Sequence, residues 1–125
     1  MNDRVDISQF LRQAMEKYGE FALAVSDKTG SFNKGVETES LNCRDISYQK
    51  LKEAALKSGN LLEADSKKQL IVVSVPVGAM KASHALLVAR LEESRIDIGA
   101  YFKEGLIKQR GAREAIECIS HQLQL

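Results

Sequence analysis

The run Leu70-Ile71-Val72-Val73-Ser74-Val75 constrains this chain more than any other stretch. It is β-branched and apolar on both faces, so it reads as a strand inside a sheet and not at its rim. Pro76 has no N–H to donate, so pairing should loosen on one side there. A turn over Gly78-Ala79-Met80-Lys81 leads to Ala85-Leu86-Leu87-Val88-Ala89-Arg90-Leu91, the next strand. Upstream, Asn60–Ala64 reads as a short strand joined to the first run by a turn at Asp65-Ser66-Lys67-Lys68. These connections are short enough to be hairpins, and hairpins make the sheet antiparallel.

Helices flank that core. In residues 6–18, Ile7, Phe10, Leu11, Ala14, Met15 and Tyr18 fall on one face at helical spacing. Asp6 is placed to cap the helix, Gln9 fits a capping box, Val5 and Phe10 fit a hydrophobic staple, and Gly19 fits its end. A second helix is expected over about Ser47–Ser58, with Tyr48, Leu51, Ala54 and Ala55 on a narrow apolar face, a cap at Asp45 or Ser47, and Gly59 as its stop. Between the two, residues 20–37 read as a hairpin. Phe21, Leu23 and Val25 alternate, Asp27-Lys28-Thr29-Gly30 turns the chain, and a weak return strand follows over about Ser31–Glu37. Residues 38–45 are polar and loop-like. Residues 94–123 read as helical, with Ser94 and Asp97 as a capping box and Ile98, Phe102, Leu106, Ile116, Ile119 and Leu123 near one face. Gly111 divides this stretch, so one bent helix and two shorter ones both fit. The expectation is a single α+β domain over residues 1–125, in the order α-β-β-α-β-β-β-α, with helices packed on a sheet of about five antiparallel strands.

Composition narrows the function classes. Lys and Arg total 18 against 17 Asp and Glu, a net charge of +1. That balance provides no electrostatic footprint for nucleic acid or an anionic membrane. No apolar run nears the roughly 20 residues that span a bilayer, and the polar start Met1-Asn2-Asp3-Arg4 is not a secretory signal. A cytoplasmic location is expected, with Cys43 and Cys118 as free thiols.

The ββ-α-βββ order with flanking helices resembles the profilin-like set, roadblock/LC7 domains first and GAF domains second. The shared local feature is the first hairpin with its Asp27 and Gly30 turn. The roadblock resemblance implies a non-catalytic regulatory or scaffolding adaptor, usually dimeric, with another protein as partner, such as a small GTPase. The GAF resemblance implies a small-molecule sensor with ligand between sheet and helices, near the Gly78–Ser83 turn and Met80. A secretion-chaperone-like dimer shares the size and the α/β order, though such chaperones tend to be acidic. The long segment after Leu91 departs from roadblock domains.

Chemistry-bearing patterns are sparse. There is no G-x-x-x-x-G-K-[ST] and no G-x-G-x-x-G. Asp27-Lys28-Thr29-Gly30 lacks the acidic twelfth residue of an EF-hand, since Thr38 stands there. Cys118 and His121, three apart on a helix, would need Cys43 and His84 to complete a four-ligand metal site, so a buried cysteine and an exposed histidine are the plainer reading. His84 with Cys43 or a serine could form a nucleophile–base pair only if a third group oriented the base. Lys103, Lys108, Arg110 and Arg113 are interrupted by Glu104 and followed by Glu114 and Glu117, a pattern expected of a solvated helix face. No catalytic, cofactor-binding or metal residue is assigned, and a non-enzymatic homodimeric binding module is the expectation.

Overall fold

The structure is a computed structural model that describes residues 6–18, 35–81, 83–103 and 110–123. Its elements are α1 (Ile7–Lys17), β1 (Val36–Asn42), α2 (Tyr48–Ser58), β2 (Asn60–Asp65), β3 (Leu70–Val77), β4 (Ser83–Glu92), β5 (Arg95–Tyr101) and α3 (Gly111–Leu123). All four strand pairings are antiparallel, in the spatial order β1-β5-β4-β3-β2. The α+β class and the five-stranded antiparallel sheet are as expected. The described elements follow the expected order, with one strand added before the last helix. The first strand of the expected opening hairpin and its Asp27–Gly30 turn lie outside the described residues, as do Val5 and Gly19.

The sheet is covered on both faces. Ile71, Val73, Val75, Ala85, Leu87, Ala89, Ile96, Ile98 and Ala100 point to one side and pack with Leu51, Ala54 and Ala55 of α2 and Ala115, Ile116, Ile119 and Leu123 of α3. Leu70, Val72, Leu86, Val88 and Tyr101 point to the other side, beneath Ile7, Leu11, Ala14 and Met15 of α1. This double burial is what the two-faced apolar run of β3 requires. Each fully buried Leu or Ile contributes about 1.5–3 kcal/mol relative to exposure.

The helix ends follow local chemistry. The Asp6 carboxylate accepts the Ser8 N–H at 3.0 Å, and the Ser47 hydroxyl accepts the Lys50 N–H at 3.1 Å. Gly59 closes α2 in extended backbone, and a Cβ there would sit 2.2 Å from the Ser74 carbonyl oxygen. Only glycine permits that approach of α2 to β3. Beyond Ser74 the β2 ladder has ended, so Pro76 has a strand partner only on the β4 side, opposite His84.

Two expectations are corrected. Residues 95–101 form strand β5, not the start of a helix. Ile96, Ile98 and Ala100 alternate into the α2–α3 core, a period-two pattern that the Ile98-to-Phe102 spacing had disguised as helical. Ser94 therefore lies in the β4–β5 turn and Asp97 in a strand, so the two form no capping box. The helix begins only at Gly111. Residues 36–42 are also a strand where a polar loop was expected from residue 38 onward. That strand carries no apolar alternation because charge pairs and β5 hold it, as described next.

Candidate functional site

The cysteines and histidines do not converge. Cys43 follows β1, and its N–H donates to the Ser94 carbonyl at the β4–β5 turn. His84 begins the opposite end of β4, roughly 25 Å away at the rise of a strand. A Cys43–His84 pair is therefore excluded by the ladder. Cys43 is buried, and that burial raises its thiol pKa, the environment of an inert cysteine. Cys118 and His121 lie on α3, across the sheet from His84, and no metal-holding group of three His, Cys, Asp or Glu occurs among the described residues. The structure does bring Ser74 to His84, with Oγ and Nδ1 3.3 Å apart on an exposed surface. No hydrogen bond described for the His84 ring supplies the orienting third group that nucleophilic catalysis needs.

The basic stretch has separate roles. Lys103 follows β5 and Arg110 precedes α3, both exposed, so neither lies on a helix face. Lys108 lies outside the described residues. Arg113 is half-buried and bridges two residues of β1, donating from Nε to Glu37 at 2.6 Å and from Nη1 to Glu39 at 3.2 Å. This corrects the solvated-face expectation. Arg113 fastens the polar strand β1 to α3.

Glu114, one residue on, makes a second clamp. Its Oε1 accepts the Gly78 N–H at 3.2 Å and its Oε2 accepts Lys81 Nζ at 2.8 Å. Lys81 and Gly78 together hold the Glu114 carboxyl below its ordinary value. The turn so held carries positive φ at Gly78 (82°), Met80 (57°) and Lys81 (55°), and it leaves Met80 98% exposed.

A third cluster lies at the far end of the sheet. The Arg95 guanidinium Nη2 donates to Glu92 at 2.7 Å and to Asp97 at 3.1 Å, while Asp97 also accepts the Ser40 hydroxyl at 2.6 Å. Arg95 Nε is 2.8 Å from Asp97 Oδ1 but poorly aligned, which leaves its N–H without a formal hydrogen bond. Arg90 joins through Glu92 at 3.4 Å and stacks over the Phe10 ring, 5.2 Å from its centroid. An open groove of about 690 Å³ lies here, lined by Ile46, Gln69, Leu91, Ser94 and the paired Arg90, Glu92 and Arg95. A fourth cluster binds α1 to β2, with Glu63 accepting from Lys17 at 2.9 Å and from the Tyr18 hydroxyl at 3.1 Å.

The two rims of the sheet differ. β2 is bulged between Leu61 and Glu63 and lies under the Lys17–Tyr18–Glu63 cluster. β1 pairs with β5 in unbroken register over all of Val36–Asn42, and Thr38, Ser40 and Asn42 are exposed along it. The weak edge strand expected over about Ser31–Glu37 reaches only Val36 and Glu37 of it, and the sequence reads as a polar loop beyond them. Its one available signal was the alternation of Glu37 and Glu39 with Thr38 and Ser40. No family model, curated protein or solved structure matches the chain.

Proposed function

We propose that the protein is a non-enzymatic cytoplasmic binding module that works as a homodimer and regulates or scaffolds another protein. One observation carries the reading: each charged cluster described above ties elements of the fold together. Arg113 joins α3 to β1, Glu114 joins α3 to the β3–β4 turn, Glu63 joins β2 to α1, and Arg95 joins β4 to β5. Catalytic carboxylates and bases instead converge on a cleft with their pairing capacity directed at substrate. The resemblance to roadblock domains names a small GTPase as the class of partner to try first. A sensory reading of GAF type ranks second, because the groove beside β4–β5 is open and its arginines are already paired.

Native mass spectrometry of the full chain, purified gently from its source cells, tests this. A dimer, alone or with a co-purified protein, is expected. A discrete added mass of small-molecule size would overturn the reading in favour of a sensor or an enzyme.

A further inference from the structure

We propose that Met80 is a methionine oxidation site, at which a hydroperoxide turns the tip of the β3–β4 connection from apolar to polar while the fold stays intact.

The tip is built to display this residue. Met80 is 98% exposed, while Leu56, the other exposed large apolar side chain among the described residues, reaches 54%. Met80 also holds a left-handed φ of 57°, a conformation that a Cβ disfavours and that burial does not offset here. Lys81 beside it is left-handed as well, with φ 55°. Contacts on both sides maintain this strained shape. Glu114 of α3 accepts from the Gly78 N–H at 3.2 Å and from Lys81 Nζ at 2.8 Å, and the Lys81 N–H donates to the Gly78 carbonyl at 3.1 Å. Strain that neighbours maintain, with no packing gained in return, marks a position kept for what it presents.

What Met80 presents is a thioether. Its sulfur carries no proton, so the lone pair is open to an electrophilic oxygen across the physiological pH range, and access sets the rate. The sulfur bonds to one peroxide oxygen, the O–O bond breaks, and a proton moves to the departing oxygen. With hydrogen peroxide the products are the sulfoxide and water, sulfur losing the two electrons that the peroxide gains. Exposure selects Met80 over Met15, which α1 buries completely against the sheet. Cys43 is buried with its thiol held protonated, and Cys118 is half-buried, so Met80 is the most accessible sulfur among the described residues. Oxidation of a buried methionine disrupts packing. Met80 belongs to neither core cluster, so its sulfoxide oxygen enters solvent and displaces no core contact. The change is one of surface chemistry, and methionine sulfoxide reductases can undo it.

The test treats the folded full chain with hydrogen peroxide and then with dithiothreitol, which reverses disulfide and sulfenic oxidation but leaves sulfoxides. Peptide mass spectrometry follows Met15 and Met80 separately, with free methionine as the rate standard. Met80 is expected to gain one oxygen within about tenfold of the free amino acid's rate, and at least about tenfold faster than Met15. The oxidised protein should keep its Tm, elute earlier in hydrophobic-interaction chromatography, and return to its starting position once a methionine sulfoxide reductase pair has acted. Met80→Leu should show no earlier elution after the same treatment. Met15 oxidising as fast as Met80, or Met80 lagging free methionine by more than about tenfold, overturns the site. A lowered Tm overturns the intact fold. Earlier elution that persists in Met80→Leu assigns the switch to another sulfur, and failure of the reductases to restore elution overturns its reversibility.

Discussion

Replacing Gly111 with alanine should destabilise the protein, although a glycine-to-alanine change inside a helix normally does the opposite. Read from sequence alone, Gly111 is a weak point in a long helix, and alanine there would gain roughly 1 kcal/mol. In the structure Gly111 is the first residue of α3 and sits against the ring of Phe102. A Cβ would lie 2.3 Å from Phe102 Cγ and 2.6 Å from both Cδ atoms. Real carbon contacts begin near 3.5 Å, so the ring or the helix must move by about 1 Å. Phe102 is 6% exposed and belongs to the core beneath α2 and α3, and so its ring has no free space to enter.

Overpacking of this kind costs about 1–3 kcal/mol. The helix-propensity gain offsets less than its full value, because the first helical position keeps fewer of the interactions that favour alanine. The net expectation is a loss of about 1–2 kcal/mol. For a chain of 125 residues that is a fall in Tm of roughly 3–10 °C. Urea denaturation should show a lower midpoint with an unchanged slope. Phe102→Ala, which removes all three clashing atoms, should abolish the added cost of Gly111→Ala when the two are combined, so the two changes should be non-additive. An unchanged or higher midpoint for Gly111→Ala would refute the Phe102 contact and restore the view of Gly111 as a dispensable helix breaker.

Met80→Gly should stabilise the protein by up to about 1 kcal/mol in thermal melts, because Met80 combines a left-handed φ of 57° with 98% exposure and so loses no packing. Arg113→Met should cost about 1 kcal/mol or less by urea midpoint, since its ion pairs with Glu37 and Glu39 are partly solvated, and the difference from the unaltered chain should shrink in high salt. Acid should weaken the α1–β2 contact. Hydrogen bonding from Lys17, aided by Tyr18, depresses the Glu63 pKa below 4.5, so its stabilisation is complete above that value and is lost as pH falls through the folded-state pKa. Glu63→Gln should flatten that arm of a stability-versus-pH curve. Alkylation followed by mass spectrometry should label half-buried Cys118 well before Cys43, whose thiol burial holds in its protonated form.

The elements that could be read from the sequence are those whose burial dominates their composition. β3 and β4 announce themselves by apolar runs, and α1 and α2 by an amphipathic stripe with Asp6 and Ser47 caps that the structure uses. The elements misread are those stabilised by contacts remote in sequence. β5 buries Ile96, Ile98 and Ala100 on one face, but its other face carries Arg95 and Asp97, whose partners Glu92 and Ser40 come from β4 and β1. An Arg-x-Asp spacing looks equally at home on a helix surface. β1 is harder still, because Glu37 and Glu39 become strand residues through Arg113, more than 70 positions away. The candidate residues were legible as residue types only. Nothing in spacing could show that Cys43 and His84 lie at opposite ends of β4, or that Ser74 rather than Cys43 neighbours that histidine.

A polar strand at the rim of an otherwise apolar sheet has a physical consequence. β1 contributes little to the core beyond half-buried Val36 and Leu41, so burial alone does not account for its place beside β5. Its fixed points are the β5 ladder, the Arg113 bridge on one face and the Ser40–Asp97 hydrogen bond on the other. Together these hold a seven-residue strand straight and in register while its outer side has no described partner. β2 is instead bulged and covered, and that arrangement discourages pairing there. The same ion pairs that replace hydrophobic burial in β1 thus take over the role that apolar contacts play in β3, β4 and β5.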